Sequence, residues 1–308
     1  MAGGWRTLDF SQASGSLHYR RGTLLFVSEE TEITIPIVQV AVVLIGSRVS
    51  ISGGLLGKLS QLDIALIAVD WKNIPIAAAQ PWHEHSRIAA RQIAQARLTA
   101  PRRKNAWARI IKSKVLGQAH TLALIGASGE AIRLRELSKT VRSGDLSNVE
   151  GLAAKIYWSA LNVEKQFRRI PGSSASGFNS VLNYAYTLLR GQGVRSLALA
   201  GLAGTLGFHH KNRSNPFALV DDLIEPFRPA VDYHLATQLD HFDLQDKSCK
   251  QQVFACANTV FDESGHSISS VQEDFARNVG MYVEGDRKYL PVPTWHLENS
   301  EHDKEFQG

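Results

Sequence analysis

The sequence predicts an α+β protein in which a small β-rich N-terminal domain, residues 1–85, precedes a larger all-helical domain, residues 86–308. Two observations carry this prediction. Up to about residue 80, short apolar runs alternate with turn signals, which is typical of β-strands. After Pro81-Trp82 the apolar residues recur with the 3.6-residue period of a helix. The 308 residues are 44% hydrophobic, which is enough for a packed core and too much for a disordered chain.

The N-terminal strands are recognised by their apolar runs and turns. Arg21-Gly22 lies between two such runs, and this pattern predicts a β-hairpin. Val38–Ile45 is almost continuously apolar, as expected of a strand that is buried on both faces. Gly53–Leu62 places its leucines on one face and is predicted to form a short helix. Strands are predicted at Ser16–Tyr19, Thr23–Val27, Thr31–Ile35, Val38–Ile45 and Ile64–Val69.

The second part of the chain is predicted to be helical throughout. Pro101 separates the first two helices, because proline lacks an N–H and is tolerated only in the first turn. The Gly- and Ser-rich run 171–177 separates the third and fourth. Pro226 is expected to kink or tighten a further helical stretch just past Glu225. The helices are predicted at Arg87–Leu98, Asn105–Ala123, Asn148–Gln166, Asn179–Arg190 and Ser196–Thr205.

The charge of the chain is unevenly distributed around a formal net charge of +5. Between Arg87 and Arg142 there are thirteen Lys and Arg residues against two acids, and from Asp232 onward there are fourteen acids against six Lys and Arg. Such a basic segment is typical of a surface that binds a polyanion such as DNA. The alternative is a solvated helical face that binds nothing. The acidic segment could repel non-specific DNA or dock a basic partner, and the sequence leaves both open.

Several classes of protein are excluded by what the sequence lacks. No stretch approaches 18 consecutive apolar residues, and the first residues lack the apolar core of a signal peptide. We therefore expect a cytoplasmic protein that neither spans a membrane nor is secreted. Cys249 and Cys256 are too few for a disulfide framework and are expected to be free thiols. Gly57-Lys58 lacks the other residues of an ATP-binding loop, so no nucleotide cofactor is predicted.

Acidic and histidine residues within apolar segments are the candidate functional residues. Asp222 and Glu225 lie three residues apart, so their carboxylates are expected to face the same way. His209 and His210 end an apolar stretch, and Glu150 begins an apolar helix, where the helix dipole alone would favour an acid. A carboxylate in such surroundings is costly to bury without a partner, and a cation is a natural one. Two carboxylates and an imidazole suit Mg²⁺ or Mn²⁺ better than zinc.

Three segments, taken together and in this order, carry a resemblance to a known family. They are Asn148-Val-Glu-Gly-Leu-Ala-Ala-Lys-Ile-Tyr-Trp158, Asn179-Ser-Val-Leu-Asn-Tyr-Ala-Tyr-Thr-Leu-Leu189 and Asp222-Leu-Ile-Glu-Pro-Phe-Arg-Pro229. The chain resembles the CRISPR-associated Cas1 family of spacer-acquisition endonucleases and integrases, and most of all its type II members. The resemblance extends from about Trp5 to Asp232. It implies the same fold, an N-terminal β domain followed by a helical catalytic domain.

The resemblance also implies roles for the candidate residues. Glu150, His210 and Glu225 match the catalytic metal ligands of the family, and the ion would be Mg²⁺ or Mn²⁺. Asp222 matches a second acid that would stand behind the ligands. His209 is adjacent to His210 and is a candidate for assisting proton transfer.

The implied reaction inserts new spacer DNA into a CRISPR array, when a 3′-hydroxyl attacks a phosphodiester of the repeat. The implied partners are double-stranded DNA (spacer precursor and CRISPR repeat), a second copy of the chain bound through residues 1–85, and Cas2, while Cas9 stays open as a further partner. The expected location is the cytoplasm of a prokaryote. Two alternatives remain: a stand-alone metal-dependent DNA nuclease, and a non-catalytic DNA-binding scaffold. The intact acid–imidazole set argues against the scaffold.

Overall fold

The computed structural model describes residues 6–71, 75–79, 87–161, 163, 167–170, 177–210, 212 and 214–297. Within these ranges two four-stranded sheets are followed by helices, which confirms the predicted α+β class. The predicted domain boundary near residue 85 lies outside the described residues. The strands are β1 Arg6–Phe10, β2 Gly15–Arg20, β3 Thr23–Val27, β4 Glu32–Pro36, β5 Val40–Ile45, β6 Val49–Ile51, β7 Ala65–Val69 and β8 Pro75–Ala79.

The first of the two sheets, here called the outer sheet, has the strand order β4-β3-β2-β6. Its centre is the predicted hairpin, in which β2 and β3 pair antiparallel. Arg21 and Gly22 form the turn with φ angles of 47° and 85°. Positive φ at both central residues matches the right-handed twist of the strands, which explains the glycine at this point. Helix α1, Gly53–Gln61, follows β6, and the Ser52 side chain caps its N-terminus by accepting from the N–H of Leu55.

The second sheet, here called the inner sheet, has the order β1-β5-β7-β8, with β8 antiparallel to its neighbour. Side chains alternate across it. Val42, Leu44 and Ile67 belong to the core shared with the helices. Val43 and Leu66 belong to a smaller core shared with the outer sheet and α1. Strand β5 is therefore buried on both faces, as its continuous apolar sequence predicts, and the inner sheet joins the two parts of the molecule.

The helices that follow enclose the larger core. Pro101 marks the boundary between the first two helices, as predicted, but it lies in the first turn of the second helix, which begins at Ala100. The helix predicted at Asn105–Ala123 is present and begins earlier, at Ala100. The helix predicted at Asn148–Gln166 is present over Val149–Leu161, and residues 162 and 164–166 lie outside the described residues. The helices are α2 Ile88–Ala96, α3 Ala100–Leu124, α4 Ser128–Lys139, α5 Val149–Leu161, α6 Phe178–Leu199, α7 Ala218–Ile224, α8 Arg228–Gln238, α9 Lys247–Ala257 and α10 Ile268–Glu284.

The prediction of two helices at Asn179–Arg190 and Ser196–Thr205 is wrong, because α6 is one continuous helix from Phe178 to Leu199. The glycines between the two predicted segments do not interrupt the helix, and in the structure they allow close packing. A Cβ at Gly191 would lie 3.2 Å from Val42 of the inner sheet. A Cβ at Gly193 would lie 2.8 Å from Val220 of α7. The glycines thus let α6 pass through the centre of the core.

Two findings from the described residues concern membrane spanning and the cysteines. Each of the helices described there is too short or too polar to cross a membrane. Cys249 and Cys256 are free thiols, and both are buried. Burial raises the pKa of the Cys256 thiol to about 11, which keeps it protonated at neutral pH.

Candidate active site

Glu150 lies in the first turn of α5, where local hydrogen bonds fix the backbone. The side chain of Asp145 accepts from the N–H groups of Val149 at 2.9 Å and Glu150 at 3.0 Å. Asn148 Oδ1 accepts from the N–H of Gly151 at 3.2 Å. A Cβ at position 151 would lie 2.7 Å from the Asn148 side chain, which explains the glycine that follows Glu150. The carboxylate is thus presented from a firmly capped helix N-terminus.

Glu225 lies where α7 gives way to a 3₁₀ turn, Glu225–Phe227, before α8 begins. Pro226 has no N–H to donate to the helix, and the tightening expected just past Glu225 is present. The Glu225 side chain is only 4% exposed. A buried carboxylate is costly unless cations or hydrogen-bond donors surround it, so its partners decide what it can do.

Asp222 is fully buried and holds the loop that carries the two histidines. Its Oδ2 accepts from the N–H groups of Phe208 at 2.5 Å and His209 at 3.0 Å. Its Oδ1 accepts from the N–H of His210 at 3.3 Å and from the Nδ1–H of His210 at 2.6 Å. A Cβ at Gly207 would lie 2.9 Å from Asp222 Oδ2, so this loop needs a glycine there. With Nδ1 engaged, Nε2 is the nitrogen of His210 that can bind a ligand.

Trp107 of α3 packs against the rings of both histidines, His209 and His210. Its ring stacks on that of His209 with centroids 4.2 Å apart and planes 7° from parallel. The ring of His210 meets it edge-on at 5.9 Å. Because Trp107 is only 2% exposed, it is held by the core and fixes the rings against it. The part of His209 in proton transfer stays a prediction.

Lys114 brings the two candidate glutamates together. This α3 residue places its Nζ 2.7 Å from Glu150 Oε1 and 2.6 Å from Glu225 Oε2. Arg228 pairs with the other oxygen of Glu225, Oε1, at 3.1 Å. Two carboxylates that lie 75 residues apart in the sequence therefore meet at one cationic nitrogen.

The charges of this cluster shift one another's pKa values. Burial alone would raise the pKa of Glu225, but Arg228 and Lys114 outweigh it and lower that pKa. Burial alone would lower the pKa of Lys114, but Glu225 and Glu150 raise it. The hydrogen bond to Asp222 raises the pKa of His210, and the charge of Glu225 adds to this effect. Glu225 is therefore ionised at neutral pH, Lys114 is cationic, and His210 lies close enough to Glu225 to sense its charge.

The residues present fit a divalent cation in their chemistry. Glu150 and Glu225 already converge on a positive charge, and His210 is oriented by a carboxylate on its other ring nitrogen, as metal-bound histidines commonly are. Among the residues that the structure describes, no three His, Cys, Asp or Glu side chains lie close enough to hold one metal ion as placed. Lys114 stands between the two carboxylates instead.

Two residues of this cluster were not singled out by sequence reasoning. Lys114 was counted only as part of the basic segment, and Arg228 was quoted only as one residue of the third motif, without a role. A signal for Lys114 was available, because it lies between Ile111 and Val115 on an apolar stripe of α3, where a charge needs a partner. Nothing local in the sequence shows which acid that partner is.

Some residues of the basic segment form ion pairs with acidic residues, and others are exposed to solvent. Arg87 and Arg91 pair with Glu284 of α10 at 2.8 Å and 3.1 Å, so part of the acidic segment neutralises part of the basic one. Arg103 lines a cleft of about 370 Å³ together with His210. The exposed basic side chains of α3, α4 and their flanks are Arg97, Lys104, Arg109, Lys112, Arg133, Lys139 and Arg142. They leave a cationic surface available to a polyanion.

Comparison with known proteins identifies the family of this chain. A family model described as CRISPR associated protein Cas1 matches residues 10–265. The chain belongs to the Cas1 family. Among curated relatives of this Cas1-family chain, the CRISPR-associated endonuclease Cas1 of Neisseria meningitidis serogroup C (strain 8013) is 35% identical over 229 residues, which cover 74% of each protein.

Solved structures share the fold of this Cas1-family chain. A casposase bound to integration product superposes with a TM-score of 0.77 at 19% identity, covering 95% of this chain and 94% of the casposase chain. A chain of a Cas6-RT-Cas1–Cas2 complex superposes with a TM-score of 0.73 at 17% identity, covering 97% of this chain and 37% of that chain. The arrangement of sheets and helices is therefore that of known Cas1 structures.

Proposed function

We propose that this Cas1-family protein is a metal-dependent DNA endonuclease and integrase of CRISPR adaptation that inserts new spacer DNA into a CRISPR array. The observation that carries the proposal is the convergence of Glu150 and Glu225 on one cationic nitrogen, close to a histidine that Asp222 orients. Membership of a family whose curated relatives are named endonucleases supports it, as does the likeness to a casposase bound to integration product. The exposed basic side chains of α3 and α4 supply the surface that DNA needs.

The chemistry is a transesterification that each proposed residue serves in a definite way. Glu150, Glu225 and the Nε2 of His210 would hold Mg²⁺ or Mn²⁺, and the bound ion would polarise the scissile phosphate and shield its developing charge. The 3′-hydroxyl of the incoming DNA forms a new P–O bond as the P–O bond of the repeat strand breaks. The proton of the attacking hydroxyl leaves, and the departing 3′-oxygen gains one. His209, stacked beside His210, is the candidate to assist this proton transfer.

The proposed partners follow from the same reaction. They are double-stranded DNA as spacer precursor and CRISPR repeat, Cas2, and a second copy of the chain that pairs through its N-terminal sheets. The Cas1–Cas2 complex among the similar structures supports Cas2 as a partner. Cas9 is a further candidate that follows from the type II resemblance. We place the protein in the prokaryotic cytoplasm, where the array lies.

The test is a strand-transfer assay with purified protein and its Cas2 partner. A labelled DNA duplex is incubated with a supercoiled plasmid that carries the CRISPR repeat, in Mg²⁺, Mn²⁺ or chelator. Label is expected to enter the plasmid in either metal and not in chelator. His210→Ala is expected to abolish transfer. His266→Ala, which breaks an exposed pair with Asp262, is the matched control and should transfer normally.

The other outcomes separate the alternatives. Metal-dependent nicking of the plasmid without transfer of label would identify a stand-alone nuclease. DNA binding with neither nicking nor transfer, in preparations whose Cas2 partner is active, would identify a non-catalytic scaffold. Transfer that persists in chelator would exclude the metal from the reaction.

A further inference from the structure

Lys114 occupies an unusual position for a lysine. It lies in the middle of α3 with its side chain only 10% exposed. Removing an ammonium from water is costly, and here the compensation comes from two carboxylates on different elements, Glu150 of α5 and Glu225 between α7 and α8. The lysine therefore links three elements of the helical core through one charge.

The two cations around Glu225 are held in different ways. Arg228 is wedged, because its guanidinium lies 4.5 Å from the centre of the Tyr186 ring while it pairs with Glu225 Oε1. Lys114 carries a single charged atom on a flexible four-carbon chain and touches both glutamates through that atom. Of the two, Lys114 is the cation that can withdraw without dismantling the packing.

The oxygen that Lys114 contacts on Glu225 is still short of hydrogen bonds. Nζ lies 2.6 Å from Oε2 but is poorly aligned for a hydrogen bond, and the described residues offer this buried oxygen no other hydrogen-bond donor. The oxygen therefore retains lone-pair capacity for another cation. A divalent ion bound between Glu150 and Glu225 would require the place that the ammonium now fills.

We propose that Lys114 is a resident counter-cation, which holds Glu150 and Glu225 together before metal binds and which the divalent ion must displace. The inference rests on the proposed metal site and deepens it. Lys114 is thus a positioning residue, because its one charge holds the carboxylates of Glu150 and Glu225 together. Metal affinity is then set by an exchange of one cation for another, so that removing the lysine charge strengthens metal binding.

The test measures Mn²⁺ binding by isothermal titration calorimetry in mildly alkaline buffer. Lys114→Met keeps the length of the side chain and removes its charge, and it is expected to bind Mn²⁺ roughly tenfold more tightly, because no ammonium has to leave. Lys114→Arg retains a cation and should not gain affinity. Lys139→Met is the matched control: it breaks an exposed pair with Glu136 of the same 2.6 Å length and should bind as the wild type does.

A second measurement keeps the proposal testable if the variant is less stable. Without metal, Lys114→Met should unfold at a lower temperature than the wild type, since two carboxylates lose their shared cation. The rise in unfolding temperature on adding Mn²⁺ should be larger in this variant than in the wild type. A side chain that only supported packing would not produce tighter binding or a larger rise.

The outcomes distinguish this inference from the proposed function. If the wild type and Lys114→Met both fail to bind Mn²⁺ or Mg²⁺, the proposed metal site is wrong. If the wild type binds metal and Lys114→Met binds it equally or more weakly, the site stands and the role of Lys114 as a displaced cation is wrong.

Discussion

Asp222 shows at the scale of one residue how the candidate site is organised. Its carboxylate accepts three backbone N–H groups and the ring Nδ1–H of His210, so one buried charge fixes both a loop and an imidazole. Sequence reasoning placed it beside Glu225 by helical spacing, and the two carboxylates have different partners. Asp222 holds the histidine, whereas Glu225 faces Lys114. Its value to the site lies in positioning.

Replacing Asp222 with Asn should therefore reduce activity while leaving the metal-binding side chains in place. The amide loses the charge that orients His210, and we expect strand transfer and Mn²⁺ affinity to fall by about 10- to 100-fold. Transfer rate and calorimetric affinity are the measurements. Asp262→Asn, which breaks the exposed His–Asp pair at His266, is the control. Unchanged metal affinity in Asp222→Asn would contradict this positioning role.

Asp232 makes the stability of the protein depend on pH. It is fully buried, with the hydroxyls of Tyr157 and Tyr186 donating to it at 3.2 Å and 2.6 Å. Burial raises its pKa from 3.8 to about 6. Because the folded pKa is the higher one, the folded state keeps a proton that the unfolded state releases. The stabilisation is therefore complete below pH 3.8 and is lost as the pH rises to about 6.

We expect Asp232 to contribute roughly 3 kcal/mol to this loss. Urea unfolding at several pH values gives the free energy of unfolding of the wild type and of Asp232→Asn. The wild-type value minus the Asp232→Asn value should fall by about this amount as the pH rises from 3.8 to about 6. Asp246 has the opposite effect on the pH dependence of stability, because the N–H groups of Cys249 and Ser248 lower its pKa. If the difference in free energy of unfolding between the wild type and Asp232→Asn does not vary with pH, the pKa of Asp232 is not raised.

Helix α6 shows at the scale of elements how core packing determines the structural role of a glycine. Its glycines lie where the helix meets the inner sheet and α7, and a side chain at either position would meet atoms already there. Glycine lowers helix propensity, so the local sequence favours a break. Packing on both sides outweighs that preference and keeps one helix of 22 residues.

Two glycine-to-alanine variants in helices should therefore have opposite effects. Gly193→Ala places a Cβ 2.8 Å from Val220 and is expected to lower the free energy of unfolding by about 1–3 kcal/mol. Gly57→Ala in α1 meets no atom within 4 Å and is expected to raise it by about 0.5–1 kcal/mol. Urea unfolding measures both. Equal effects of the two variants would show that helix propensity alone determines the change in the free energy of unfolding.

The whole molecule separates its charges while its core joins its two parts. The inner sheet contributes to the small N-terminal core and to the large helical core. Glu284 of α10 pairs with Arg87 and Arg91, and the exposed basic residues are concentrated on α3, α4 and their flanks. Arg103 lies in the cleft that also contains His210, so this basic surface reaches the candidate site.

Arg103→Ala should weaken DNA binding in a salt-dependent manner. We expect the slope of log affinity against log salt concentration to decrease by about one, as for the loss of one phosphate contact. Fluorescence anisotropy with a labelled duplex at several salt concentrations measures it. Arg20→Ala removes the same charge from the outer sheet, where the arginine is exposed and 3.9 Å from Glu32, and should leave the slope unchanged. Equal slopes for Arg103→Ala and wild type would place the DNA elsewhere.

Much of the fold could be predicted from the sequence where local preference and burial agree. The Arg21-Gly22 hairpin, strand β5 and the turn after Glu225 were all predicted, since each depends on a turn residue, a continuous apolar run or a proline. The bounds of helices α9 and α10 were not predicted, although the whole domain from residue 86 was predicted to be helical. Their sequences mix polar and apolar residues, and their helical structure depends on docking to α6 and α8.

The sequence by itself determined the α+β class, the basic and acidic segments, and the three family motifs, two of which carry Glu150, Asp222 and Glu225. Tertiary structure alone decided that Glu150 and Glu225 meet at Lys114 and that Asp222 holds His210. The physical reason is that periodicity and propensity act over a few residues. The partner of a buried charge is chosen by which helices pack together, and those residues lie far apart in the chain.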